Sequence, residues 1–349
     1  FSRISYEVLP GDEGKVILNV IPEEKPGRDF VRFGLSLYSD FEGGAEFSAL
    51  ASLRRAWLNR LDAEWRTDIE IGRDKALHSE WYQPASLGSE FFVAPYADYR
   101  SDYREANFGS TQPFSYSLRT IDAGIEAGSV FGRWGEIRAG VLVGTGRVDP
   151  ENNAVFSSDG FSRGGYTLKL TLDQLDNVRF PHSGGLVKVD YFESSNAFGA
   201  DFSWSRLVVE GRRALSSGAN SLLLVGRLGS SLNTQTPFYQ SFRLGGLFNL
   251  SAMPVGAIDT RNQVYMRAQY YRQIRQLPAL VGKGVYAGAL LETGWGWDNG
   301  DDMTPTLGNL PWSAGGYLAA DTFLGSLYLL GALGGEGEAA IYMALGANF

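Results

Sequence analysis

Along most of this 349-residue chain apolar and polar residues alternate one for one, a pattern that few folds sustain at such length. Successive side chains on a strand point to opposite faces, so alternation gives one apolar and one polar face. Residues 61–72 set Leu61, Ala63, Trp65, Thr67, Ile69 and Ile71 against Asp62, Glu64, Arg66, Asp68 and Glu70. Residues 262–275 set Val264, Met266, Ala268, Tyr270 and Ile274 against Gln263, Arg267, Gln269, Gln273 and Arg275. Residues 165–173 set Tyr166, Leu168, Leu170 and Leu172 against Thr167, Lys169, Thr171 and Asp173. From Asp29 onward there are roughly sixteen such segments of about nine or more residues, the length a tilted strand needs to cross a bilayer. The others lie near 30–39, 44–54, 76–84, 90–103, 116–131, 135–148, 185–196, 201–213, 221–232, 284–296, 312–323, 325–334 and 340–349.

A soluble sandwich or barrel also alternates, but it fills its interior with Leu, Ile and Val and turns its polar face to water. Here the polar face carries charges of both signs: Asp62, Glu64, Arg66, Asp68, Glu70, Lys169, Asp173, Arg206, Glu210, Arg212, Arg227, Arg267 and Glu292. That suits a lumen laced with ion pairs. The apolar face carries Phe33, Trp65, Tyr166 and Tyr191 near strand ends, where interfacial girdles sit. The expected fold class is therefore all-β, a sixteen-stranded antiparallel transmembrane β-barrel. A mean hydropathy of -0.15 agrees, because half of each strand faces a polar interior. No apolar run reaches the roughly eighteen residues of a membrane helix.

A net charge of -8 without a long run of one sign predicts no nucleic-acid partner. With no Cys and two His, neither a disulfide nor a Cys/His metal site is available, and no cofactor is expected. Gly160-Phe161-Ser162-Arg163-Gly164 matches the G-x-S-x-G pattern, but a strand follows where a nucleophile elbow needs a helix. It is read as loop, and His78 and His182 as structural, so no catalytic residue is expected in this chain. Asp298-Asn299-Gly300-Asp301-Asp302 clusters oxygen donors without the distal Glu of a calcium loop and is read as a solvated loop.

Residues 1–27 differ from the rest. Two strand-like runs, 3–9 and 15–21, flank Pro10-Gly11-Asp12-Glu13-Gly14, and Pro22 to Gly27 then break the pattern as a linker. A lone hairpin is marginal in water, so this one is expected to end a larger soluble domain, with the barrel occupying 28–349. The chain opens Phe1-Ser2-Arg3 without a signal peptide, which a membrane barrel requires, so a longer polypeptide is expected. Short and long connections alternate, which places the amino terminus in the periplasm and the long loops outside.

Three motifs carry a resemblance. Asn177-Val178-Arg179-Phe180-Pro181-His182-Ser183-Gly184 is similar to the N-x-x-(aromatic)-P-x-x-G turn of the bacterial surface-antigen superfamily, whose members include BamA, TamA and FhaC. Glu292-Thr293-Gly294-Trp295 looks like its acidic-x-G signature, and Phe349 like its terminal assembly signal. The resemblance implies that residues 1–27 are the last hairpin of a periplasmic POTRA domain. It implies a periplasmic turn built on Asn177, Phe180, Pro181 and Gly184, and Glu292 and Gly294 facing the lumen. It also implies a sixth extracellular loop inserted into the barrel, with its tip at Leu250, Ser251, Ala252 and Met253. The chain departs there: Ser251-Ala252 stands where the family has Arg-Gly, so the arginine partner of Glu292 is lost, with Arg243 and Arg261 as candidate replacements.

The order of hairpin and barrel looks most like the translocators of patatin-like phospholipase autotransporters (type V secretion, PlpD-like). That resemblance implies a bacterial outer-membrane protein exporting a fused lipid hydrolase whose catalytic Ser lies upstream. The implied partners are outer-membrane lipids, its own N-terminal passenger, the barrel assembly machinery and periplasmic chaperones. The competing expectation is a diffusion porin or another outer-membrane assembly or secretion pore. The seam between the segment near 30–39 and the terminal strand, rich in Gly and Ala, is expected to open most readily.

Overall fold

The computed structural model describes residues 3–10, 15–23, 27–41, 44–106, 114–151, 158–278, 280–301 and 309–346. Strands β1 (Arg3–Pro10) and β2 (Val16–Glu23) form a two-stranded antiparallel sheet of their own. On one face of it Tyr6, Val8, Val16, Leu18 and Val20 are all exposed.

Sixteen strands then close a barrel in which every neighbouring pair is antiparallel. The first eight are β3 (Asp29–Ser39), β4 (Ala45–Arg55), β5 (Glu64–Gly72), β6 (Lys75–Pro84), β7 (Phe91–Ala106), β8 (Phe114–Val130), β9 (Gly135–Pro150) and β10 (Asp159–Asp173). Next come β11 (Gly184–Ser194), β12 (Trp204–Ser217) and β13 (Asn220–Ser230). Two short strands, β14 (Phe242–Leu244) and β15 (Ile258–Thr260), pair only with each other within the connection that follows. The barrel resumes with β16 (Asn262–Gln276), β17 (Gly282–Trp297), β18 (Trp312–Thr322), β19 (Gly325–Gly334) and β20 (Ala339–Gly346). Among the described residues no helix is long and apolar enough to cross a membrane.

The alternation sorts as the sequence predicts. Ile69, Ile71, Leu168, Leu291, Leu318, Leu329 and Leu333 are exposed on the outer wall, while Glu126, Tyr265, Gln269 and Glu292 are buried inside. An outer wall this apolar suits acyl chains, not water. The long connections 231–261 and 298–311 share one rim, and the short ones 218–219 and 323–324 share the other.

Two boundaries differ from expectation. β5 starts at Glu64 because Asp62, with φ of 60°, bends the preceding turn, so Asp62 stands outside the lumen row. β10 starts at Asp159, so Ser162 belongs to a strand and pairs with Thr145. Hydrogen bonding to β9 outweighs the weak strand preference of Gly160, Ser162 and Gly164.

Closure is uneven. β20 and β3 share four register pairs, Met343–Ser39, Ala344–Tyr38, Leu345–Leu37 and Gly346–Ser36, whereas β7 and β8 pair from Phe91–Ser129 to Ala106–Phe114. Among the described residues, Asp29 to Leu35 pair with β4 alone. Phe349 lies outside the described residues. Deleting residues 339–349 removes β20 and opens β19 and β3 to lipid. The truncated chain is expected to lose the compact, heat-sensitive band that a closed barrel gives in SDS electrophoresis.

Candidate functional site

The connection between β13 and β16 enters the lumen. Its β14–β15 ribbon pairs Phe242 with Thr260, Arg243 with Asp259 and Leu244 with Ile258. Beyond it, Phe248 (φ 56°) and Leu250 (φ 73°) sit in the left-handed region, which bulky residues adopt only under constraint. The constraint is a set of hydrogen bonds. The Phe248 carbonyl accepts from Arg267 at 3.1 Å and lies 2.7 Å from the Tyr265 hydroxyl, whose single proton is shared with Glu292. The Phe248 amide donates to Ser251 Oγ at 3.0 Å. Asn249 Nδ2 donates to the carbonyls of Arg243 and Gly245, both at 3.1 Å, and its Oδ1 accepts from Arg227.

The loop tip is fastened to Glu292 on β17, a side chain 1% exposed. Glu292 Oε2 accepts the Ser251 amide at 2.6 Å, and Oε1 accepts the Tyr265 hydroxyl at 2.6 Å. The Ala252 amide donates to Ser313 Oγ at 3.0 Å. Leu250 is fully buried with Leu244 and Tyr265, and Met253 packs against that cluster. Gly294 makes room for the ribbon: a Cβ there would sit 3.3 Å from the Leu244 side chain.

The tip itself therefore supplies the partner that the sequence reading sought in Arg243 or Arg261. A main-chain amide donates whatever residue carries it, and Tyr265 supplies the second donor. Neither proposed arginine does so. Arg243 faces Asp259 at 3.3 Å and donates to the Tyr116 hydroxyl at 3.0 Å, while the Arg261 amide donates to Asp298 at 2.9 Å. Tyr265 was missed, although its odd position among the inward residues 263, 267 and 269 marks its direction.

Higher up, the same loop crosses the lumen. Tyr239 stacks on Phe161 of β10 at 4.6 Å, and its carbonyl accepts from Arg104 of β7 at 2.7 Å. At the opposite rim the 174–183 connection folds inward as well, instead of forming the plain corner that Pro181 and Gly184 suggest. Asn177 Oδ1 accepts the Arg179 amide at 2.9 Å, and Gly184 takes φ of 93°, where a Cβ would strike the Gln174 carbonyl. Phe180 is fully buried and stacks on Tyr286 at 4.1 Å, while the Pro181 carbonyl accepts from Tyr271. Arg179 pairs with Asp321 of β18 and donates to the Thr322 carbonyl, each at 2.7 Å. Tyr328 of β19 touches Phe180 from below at 5.7 Å and Phe248 of the tip from above at 5.0 Å. Tyr265, Tyr271, Tyr286, Tyr317 and Tyr342 thus fill the lumen.

The other half of the lumen is charged. Arg138 meets Glu80 at 2.6 Å, Glu136 at 2.9 Å and Glu126 at 3.4 Å, and Lys169 meets Glu126 at 2.6 Å. Arg163 faces Asp122 at 3.1 Å, and His78 faces Asp98 at 2.9 Å. Three cavities of about 920, 320 and 230 Å³ lie along this half. The first two share Arg66, Glu80 and Arg138, and the last two share Tyr96, Lys169 and Asp190. The Ser162 amide donates to Asp201 at 2.6 Å, and His182 is engaged with Ser221 at 2.8 Å, so no Ser162–His pair forms. No cluster able to hold a metal occurs among the described residues, which exclude Asp302.

No protein-family model matches the chain, and no curated protein matches it. Solved structures do. BamA of Haemophilus ducreyi lacking POTRA domains 1–3 superposes with a TM-score of 0.74 at 12% identity, over 100% of this chain and 76% of that one. CdiB of Escherichia coli gives 0.61 at 14% identity, over 99% and 67%. CdiB of Acinetobacter baumannii gives 0.62 at 9% identity, over 99% and 66%. The fold is that of the BamA and CdiB barrels.

Tyr265→Phe removes the hydroxyl that joins Glu292 to the tip, a loss of about 1–3 kcal/mol. The loop is expected to become sensitive to added protease and channel openings to become longer; unchanged cleavage and conductance would remove the latch. The Asp176 carboxyl is pushed up by burial, but the Ser183 and His182 amides and the His182 charge outweigh this and hold it below the usual range. A lowered folded pKa contributes stability above the unfolded value of about 3.9 and loses it as pH falls through the folded value. Acidifying the side of the short connections below about pH 4 is expected to loosen the inserted turn and raise conductance, and Asp176→Asn to abolish that response.

Proposed function

We propose that this chain is an outer-membrane translocator of a bacterium, exporting and anchoring a patatin-like lipid hydrolase fused to its amino terminus, as in PlpD-like type V autotransporters. The observation that carries the reading is a lumen stoppered by its own loop and turn, beside a β3–β20 seam that holds four register pairs among the described residues. A barrel built for diffusion has little use for either. In this reading β1 and β2 are the end of a POTRA domain, the chain itself is not an enzyme, and Phe349 is read by the assembly machinery after periplasmic chaperones deliver it. Glu292, Ser251 and Tyr265 hold the resting state.

The chain has no native cysteine, so Ser36→Cys with Gly346→Cys gives a single bridge across the seam. Oxidation is expected to cut surface exposure of the passenger about tenfold, with recovery on reduction. Export that continues through the oxidised barrel would rule out the seam. Isolating the full-length polypeptide from cells and labelling it with a fluorophosphonate probe tests the passenger; an unlabelled product would remove the hydrolase.

The linked charged cavities favour one other reading, a diffusion pore. Planar-bilayer recording separates the two: large stable openings in the unaltered protein indicate the porin, small flickering ones a stoppered translocator.

A further inference from the structure

The outer wall is not uniform at the rim of the long loops. Cross-strand register places Lys75 of β6, Ser101 of β7, Arg119 of β8 and Arg147 of β9 in one row. All four have outward parity, and Lys75, Arg119 and Arg147 are exposed. The next row toward the membrane centre is Leu77, Tyr99, Ile121 and Thr145, and the one after it Ser79, Ala97, Ala123 and Val143. The cations therefore occupy the first row beyond the apolar band, at the height of lipid headgroups. Over β17 and β18 the corresponding rim carries the indoles Trp295 and Trp312 instead.

The row has an excess of positive charge. Arg119 and Arg147 lie directly opposite each other and share one carboxylate, Asp149, which Arg147 approaches through Nε alone at 2.9 Å. Of the acids farther out, Glu105 faces Arg73 at 3.8 Å, and Glu151, held by Ser117 at 2.5 Å, keeps its charge, so Lys75, Arg119 and Arg147 stand against Asp149 and Glu151. Lys75 makes no ion pair among the described residues. With strands about 4.8 Å apart, Lys75 to Arg147 spans on the order of 14 Å, room for a sugar headgroup carrying two phosphates. Guanidinium groups present forked donors that match phosphate oxygens, and lysine adds a point charge.

We propose that Lys75, Arg119 and Arg147 form a binding site for the phosphates of a glycolipid in the outer leaflet. The site lies on the lipid-facing surface, away from the loop latch and the seam, and depends on the long loops facing outward. Acyl chains below the headgroup would lie against Ile121, Ile125 and Val143, all exposed on the same wall.

The test uses the full chain in phosphatidylcholine nanodiscs titrated with bisphosphorylated lipid A, with binding read by native mass spectrometry. Lys75→Gln/Arg119→Gln/Arg147→Gln is expected to bind about tenfold more weakly, and Arg119→Lys/Arg147→Lys to retain binding. Dephosphorylated lipid A is expected to bind the unaltered chain as weakly as the phosphorylated form binds the triple variant. Millimolar inorganic phosphate is expected not to displace the glycolipid, and Arg213→Gln/Arg272→Gln on the opposite rim to change nothing. Full binding by a folded triple variant would overturn the site, as would equal binding of the dephosphorylated lipid. Displacement by free phosphate, or an equal loss in the opposite-rim variant, would also overturn it. Should the triple variant fail to fold, the dephosphorylated lipid on the unaltered chain decides.

Discussion

A carboxylate shut away from water must be given donors, and Glu292 sets that demand for the whole lumen. Leaving such a group unpaired costs several kcal/mol, more than most single contacts return. β16 supplies one donor, the Tyr265 hydroxyl, from the neighbouring strand. The other has to come from outside the wall, and the Ser251 amide brings it at the end of a long connection. That requirement draws the chain down into the barrel, and the left-handed residues Phe248 and Leu250 follow from the sharp return it must make. With the tip fixed, the ribbon above it spans the opening and Tyr239 reaches the far wall.

Much of the architecture is written in the alternation. Strand number, the apolar outer wall and the charged lumen are visible because every strand repeats one rule, and the inward parity of Glu292 and Tyr265 can be read from β17 and β16 in the same way. The attachment of the tip is not visible. Every residue but proline has an amide, so nothing in Ser251 distinguishes the amide that is used, and a search among side chains looks for an arginine instead. The inserted turn is half visible. Pro181 and Gly184 announce a bend, but its direction is decided by Tyr271, Tyr286 and Asp321, which are remote in sequence. Tyrosine identity alone does not tell wall from lumen, since a phenol with a partner suits a packed interior as well as a lipid interface, and only its parity along the strand decides.

The lumen is divided lengthwise. Along β16 to β20 it is filled by rings from the wall, the turn and the loop, packed as an ordinary protein core is. Along β6 to β10 it keeps cavities beneath the Tyr239 crossing, and its ion pairs reach past the adjacent strand, from β9 to β6 and from β10 to β8. Glu126 is buried there, so Arg138 and Lys169 meet the same demand for it that the tip meets for Glu292. The packed half adjoins the short seam, so the wall least secured by backbone pairing is the one braced from within.

Tyr328 lies where the two inserted segments meet, stacked with Phe180 of the turn and edge-on to Phe248 of the tip. Contacts that share a residue do not add independently. Withdrawing either segment strips a neighbour from the same ring and loosens the other's hold. The inserted turn and the loop tip are thereby coupled through a single side chain.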